Sequence, residues 1–224
     1  MRQVPAAQVA VRAEIARVGA SLFQRGYVHS TAGNISVRLD PTQGGGFLIT
    51  PTDACMGFLD PELLAWVAED GTQLSGAPAS KTLALHRSIY AAAPDASCVI
   101  HTHATHLVAL TLQGVWQSDD ILPPLTPYQV MKVGHVPLIA YQRPGAPQVA
   151  NAVAERILSA SRPLRAVMLD RLGPMVWHTS PAAAMALLEE LEETARLWLL
   201  GARALAPLSA ERIDELRATF NAPW

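Results

Sequence analysis

The run Cys98-Val99-Ile100-His101-Thr102-His103-Ala104-Thr105-His106 constrains this chain more than any other part of it. It opens as an apolar strand and ends in three imidazoles within six residues, so the fold must bury the strand and still leave its polar end open to chemistry. Successive side chains of an extended segment point to opposite faces, which puts His101 and His103 on one face, able to grip a single ion. Neutral imidazole suits Zn²⁺, Fe²⁺, Co²⁺ or Mn²⁺, and a catalytic ion usually takes a third protein ligand and keeps one position open. His106 falls where Leu107, Val108, Leu110 and Leu112 predict a helix, near such a site rather than in it. The same two imidazoles can also simply cap a strand end by bonding to backbone, and the spacing alone does not separate the two readings.

Half of the 224 residues are apolar, enough for one substantial core, and a single domain over residues 1–224 is expected. Net charge is −2 with Lys and Arg dispersed, so neither nucleic acid nor a membrane surface is an expected partner. A small anionic substrate needs only a local basic pocket and stays open. Cys55 and Cys98 are the only cysteines, and Cys98 lies in an apolar strand, which argues against a disulfide framework and for a reducing cytoplasm. The first 22 residues mix apolar and charged positions at helical spacing and lack the apolar core of a signal peptide.

Along the chain, an amphipathic helix is predicted from about Val9 to Arg25, ending at Gly26. Ser30 to Leu39 starts small and polar and continues as an alternating strand; its polar half can aim donors at an anion or be an ordinary loop. Gly46 to Thr50 reads as a hairpin partner running into Pro51-Thr52-Asp53. Ser80-Lys81-Thr82 is expected to open a helix with Ser80 as N-cap, and Lys81 there either holds an anion or is solvated. Leu122 to Tyr128 is too rich in proline for a regular element. Val136 to Tyr141 is a strand candidate, Pro147 to Ser159 a helix, Ala166 to Leu169 and Met175 to Trp177 strands. Pro181 to Leu200 is a long helix with an apolar stripe, and Ser209 starts a capped final helix.

Taken together, Gly33-Asn34-Ile35-Ser36, Ile49-Thr50-Pro51-Thr52, Ser80-Lys81-Thr82 with His86, and the histidine stretch resemble the class II aldolase/adducin family. Leu122 to Met131, Tyr141 to Gly145 and Glu189 to Ala195 resemble its 3-oxo-tetronate 4-phosphate decarboxylase branch more narrowly. The resemblance implies an α/β fold with a central, mostly antiparallel sheet flanked by helices, assembled as a homotetramer with sites at subunit boundaries. It implies a carbon–carbon lyase acting on a small phosphorylated keto acid through a metal-stabilised enolate, the divalent metal most often zinc. By position it assigns the substrate phosphate to Thr31, Asn34, Thr52, Ser80 and Lys81, and metal ligation to His101 and His103. Tyr128 falls in the substrate-side loop, and Lys81, His106 and Tyr128 are its candidate catalytic groups.

Two positions depart from the family pattern. Thr82 stands where the family has a carboxylate, and Leu172 where it has the third ligand histidine. Leucine binds no metal, and threonine exchanges no proton near neutral pH. Asp170, two residues and roughly 6.6 Å before Leu172 along a strand, and His106 are the possible replacements, while His135 and His178 are not placed by the sequence. Arg171 beside Leu172 favours an anionic substrate. Beside the lyase stand altered, metal-free or rebuilt-site chemistry on another anionic keto substrate, and a non-catalytic module like the adducin head.

Overall fold

The computed structural model describes residues 5–224; the first four residues of the opening stretch compared with a signal peptide lie outside the described part. In chain order it comprises α1 (Val9–Gln24), β1 (Asn34–Arg38), β2 (Phe47–Ile49), β3 (Ala65–Val67), β4 (Gln73–Ser75), α2 (Leu83–Ala92) and β5 (Cys98–His101). Then come α3 (Thr105–Gln113), β6 (Leu138–Ile139), α4 (Pro147–Leu158), β7 (Ala166–Leu169), β8 (Gly173–His178), α5 (Pro181–Leu200) and α6 (Ala210–Phe220). The strands form one sheet in the order β4-β3-β2-β1-β5-β8-β7-β6. Among the described residues only the β6–β7 pair is parallel; the other pairs are antiparallel, as the family resemblance implies.

Strand alternation builds two cores from one sheet. Ile35, Val37, Leu48, Ile100, Met168 and Val176 pack with Ile15, Val18 and Leu22 of α1, Leu107 and Leu110 of α3, and Leu187, Leu188 and Leu191 of α5. Their neighbours Phe47, Val99, Val167, Met175 and Trp177 point the other way, onto Ile89 and Tyr90 of α2 and Val149 and Val153 of α4. Both faces of the central strands are therefore covered, and each fully buried Ile, Leu or Val stabilises the layer by about 1.5–3 kcal/mol. The apolar run at Cys98 to Ile100 sits in the middle of this sheet because its side chains serve both cores.

Several boundaries differ from those the sequence predicts. The second long helix starts at Leu83, with Thr82 as an N-cap whose side chain makes no capping bond to the helix, so Ser80 is not the cap; the Ser80 hydroxyl instead hydrogen-bonds that of Thr82 at 2.9 Å. Only Leu138 and Ile139 of the Val136 to Tyr141 stretch pair as strand. The Val136 N–H is taken by the Asp120 carboxylate and its carbonyl by Ile121, which withdraws it from the ladder. The proline-rich Leu122 to Tyr128 stretch is a shaped loop, followed by a wide helical turn at Gln129–Val133.

Candidate active site

Antiparallel pairing gathers the singled-out residues at one end of the sheet. β1 begins where β5 ends, Asn34 opposite His101, and His101 stands opposite Met175 at the start of β8. β2 runs out at the same end: Ile35 N–H donates to the Thr50 hydroxyl at 3.2 Å, and Thr50 N–H to the Ile35 carbonyl. Ser80 N–H donates to the Thr50 carbonyl, Thr52 N–H to the Pro78 carbonyl, and Pro51 bridges to Ala79. Asn34, Thr52 and Ser80 with the adjoining Lys81 thus share this edge with His101, and Thr31 precedes it in the turn entering β1.

Two glycines hold the backbone close here. A Cβ at Gly33 would meet the His101 carbonyl oxygen at 2.6 Å, and one at Gly173 the Thr102 carbonyl oxygen at 2.0 Å. Both have positive φ, +80° and +114°, so any other residue is strained as well as crowded. Gly173 presses the start of β8 against Thr102 and His103, two residues after Arg171, whose φ of +62° is left-handed.

His101 is 7 % exposed and donates from Nδ1 to the Pro174 carbonyl at 2.9 Å. That bond leaves the Nε2 lone pair free, the arrangement of metal-ligating imidazoles. Burial first, then the neighbouring His103, pushes its pKa down to about 4, so the ring is neutral. His103 lies beyond the end of β5, yet its ring meets that of His101 edge-on with centroids 5.0 Å apart. Burial and then His29 lower its pKa too.

The pair fits two ligand positions, but the residues present do not fit a three-histidine centre. Leu172 packs with the apolar cluster under α2 and α4. Among the described residues no three His, Cys, Asp or Glu side chains are grouped to hold one ion, which removes Asp170 and His106 as placed replacements. His106 Nδ1 instead pairs with Glu192 Oε1 of α5 at 2.8 Å. His178 sits opposite Cys98 at the far end of its strand. His135 engages Asp120 and packs at a tilt against Trp224, with centroids 4.5 Å apart. Tyr128 is 61 % exposed on its loop.

Sequence reasoning overlooked His29, exposed, with its ring centroid 6.2 Å from that of His103. It also passed over Ser36 and Tyr90 and gave His86 no role, although these three line up behind Asn34. The signal was present: Asn34 and Ser36 share one strand face, and His86 and Tyr90 share one helix face.

The family model for the class II aldolase and adducin N-terminal domain matches residues 13–199. The chain belongs to the class II aldolase and adducin family. Among its relatives in that family, a 3-oxo-tetronate 4-phosphate decarboxylase of Cupriavidus necator is 56 % identical over 96 % of this chain and 97 % of its own length. The enzyme of the same name from Escherichia coli is 43 % identical over 93 % of this chain and 95 % of its own length. The crystal structure of YgbL from Escherichia coli, described as a putative aldolase/epimerase/decarboxylase, superposes with a TM-score of 0.86 at 42 % identity. That match covers 95 % of this chain and 100 % of the other.

Proposed function

We propose that this family member is a carbon–carbon lyase that decarboxylates a small phosphorylated keto acid. The observation that carries the reading is the convergence of Asn34, Thr52 and Ser80 with His101 and His103 at one sheet end, with Thr82 where a base is needed. Relatives 56 % and 43 % identical bear the name of such a decarboxylase.

The chemistry follows from the residues present. Retro-aldol cleavage requires a base to take a hydroxyl proton, and threonine has no such capacity near neutral pH. Loss of CO₂ from a β-keto acid starts without a base: the electrons of the breaking C–C bond pass into the ketone and form an enolate, which then takes a proton. Thr31, Asn34, Thr52, Ser80 and Lys81 anchor the phosphate. Lys81 and Arg171 are the fixed cations available to offset the substrate's charge, and His106 and Tyr128 are the proton-bearing groups for the enolate. His101 and His103 would supply two imidazoles to a divalent ion able to stabilise enolate charge; with Leu172 as third residue such an ion would be held weakly.

The protein works in the cytoplasm as a homo-oligomer, a tetramer by family resemblance, in which exposed Tyr128 serves a site at a subunit boundary. Cys55 and Cys98 are free, and no described helix is long and apolar enough to cross a membrane. The test presents a phosphorylated β-keto acid and a phosphorylated hydroxy-ketone sugar side by side. CO₂ from the first with no aldehyde from the second is expected; aldehyde from the second without CO₂ from the first overturns the reading.

A further inference from the structure

Behind Asn34 runs a chain of buried hydrogen bonds. Asn34 Oδ1 lies 2.5 Å from His86 Nε2, His86 Nδ1 2.7 Å from Ser36 Oγ, and Ser36 Oγ 2.8 Å from the Tyr90 hydroxyl. Asn34 is 6 % exposed, Tyr90 3 %, and Ser36 and His86 not at all. Water is thus shut out, and each polar atom must find its partner within the chain.

The chemistry of each link sets the next. A carbonyl oxygen only accepts, so in this arrangement the His86 proton sits on Nε2 and is donated to Asn34. A neutral imidazole has one N–H, so Nδ1 accepts, and the Ser36 hydroxyl donates to it. The Ser36 oxygen then accepts from Tyr90. Burial, with a smaller contribution from His101, keeps His86 neutral by pushing its pKa down to about 3, which preserves the acceptor at Nδ1. In the reverse polarity the amide is flipped and Tyr90 must donate to the Ser97 carbonyl at 3.5 Å, the limit of a hydrogen bond. The forward polarity ends instead on a 2.8 Å bond.

We infer that Tyr90, Ser36 and His86 are positioning residues that lock the Asn34 amide with its N–H groups turned toward the substrate's anionic group. The inference rests on the reading of this edge as the phosphate site. Reversed, the relay would turn the amide oxygen outward, where it repels a phosphate and accepts from a hydroxyl. The relay thereby sets which chemical class Asn34 selects, although none of its three members is assigned a substrate contact.

Long-range ¹H–¹⁵N correlation spectra of the full-length protein report which His86 nitrogen carries the proton. Calorimetric titration with inorganic phosphate reports the consequence. The expected result is an Nε2–H tautomer, phosphate binding weakened about tenfold by Ser36→Ala and about threefold by Tyr90→Phe, as for loss of one buried hydrogen bond. In turnover the two variants raise KM for a phosphorylated substrate and leave kcat near wild type. An Nδ1–H tautomer in the wild type overturns the relay while leaving the substrate reading intact. Unchanged phosphate affinity in folded Ser36→Ala likewise overturns it. A wild type that binds no phosphate overturns the substrate reading itself, and with it the role given to Asn34, whichever tautomer is found.

Discussion

Leu172 and Thr82 decide the chemistry at the scale of single residues. Leu172 is half-buried among apolar side chains, and Thr82 shares a hydrogen bond with Ser80, so each is integrated locally as the residue it is. Two imidazoles alone hold an ion less tightly than three ligands. Metal content of protein purified without chelator or histidine tag is therefore expected well below one ion per chain. The double variant Thr82→Glu with Leu172→His is expected to raise it toward one, and unchanged metal content in that variant would contradict the alignment of these positions. His86 gives a second expectation. Its pKa is about 3 in the fold against 6.5 for a free imidazole, so the unfolded chain binds more protons between those values. The contribution of neutral His86 to stability is complete above about pH 6.5 and falls with acidification, by up to about 1.4 kcal/mol per pH unit. Urea unfolding at pH 7 and pH 5 checks this: His86→Leu should flatten the dependence, and an equal slope in both proteins would argue against it. At this scale the sequence discloses His101, His103 and Asn34 through motif spacing. It shows which faces carry Ser36, His86 and Tyr90 but not that they meet, because partners 50 and 54 residues apart come together only once β1 lies against α2.

Elements carry the second level, and the N-terminus of α3 is the clearest case. Glu192 of α5 is 3 % exposed and accepts from the His106 N–H at 2.9 Å, the Leu107 N–H at 3.0 Å and His106 Nδ1 at 2.8 Å. A buried carboxylate thus satisfies the orphan amides of a helix start and favours its positive end. Because α3 begins two residues after His103, this anchor also braces the imidazole pair. Glu192→Ala is expected to cost about 3 kcal/mol, since two donors and a ring N–H lose a charged acceptor, measured as a lower urea midpoint. A change within 0.5 kcal/mol would show that the bonds are replaced by solvent. Helix periodicity made α1, α4 and α5 readable to within about a residue or two, because their apolar stripes are long. The start of α2 and the extent of β6 were not readable: the Thr82 hydroxyl pairs with that of Ser80, two residues before it, and the Val136 N–H with the Asp120 carboxylate, 16 residues before it, and neither bond is visible in local propensity.

Seen whole, the molecule is a sheet whose two faces are sealed by helices, leaving its ends as the places where polar side chains meet solvent. Antiparallel pairing brings the start of β1, the ends of β2 and β5 and the start of β8 to one of those ends. That geometry, more than any single motif, assembles Asn34, Thr52, Ser80, His101 and His103 from four separated segments. Their sequence order gave the family and the strand alternation gave the layers; the shared edge emerges only from strand order and register. The most direct measurement of the proposed activity is CO₂ release by the purified protein from a 3-oxo acid carrying a 4-phosphate, compared with the same acid lacking the phosphate. The expected result is turnover of the phosphorylated acid proportional to protein, with kcat/KM at least about 100-fold lower without the phosphate, as befits a charge-assisted anion anchor. Release no faster than the spontaneous rate, or equal for both acids, would contradict it.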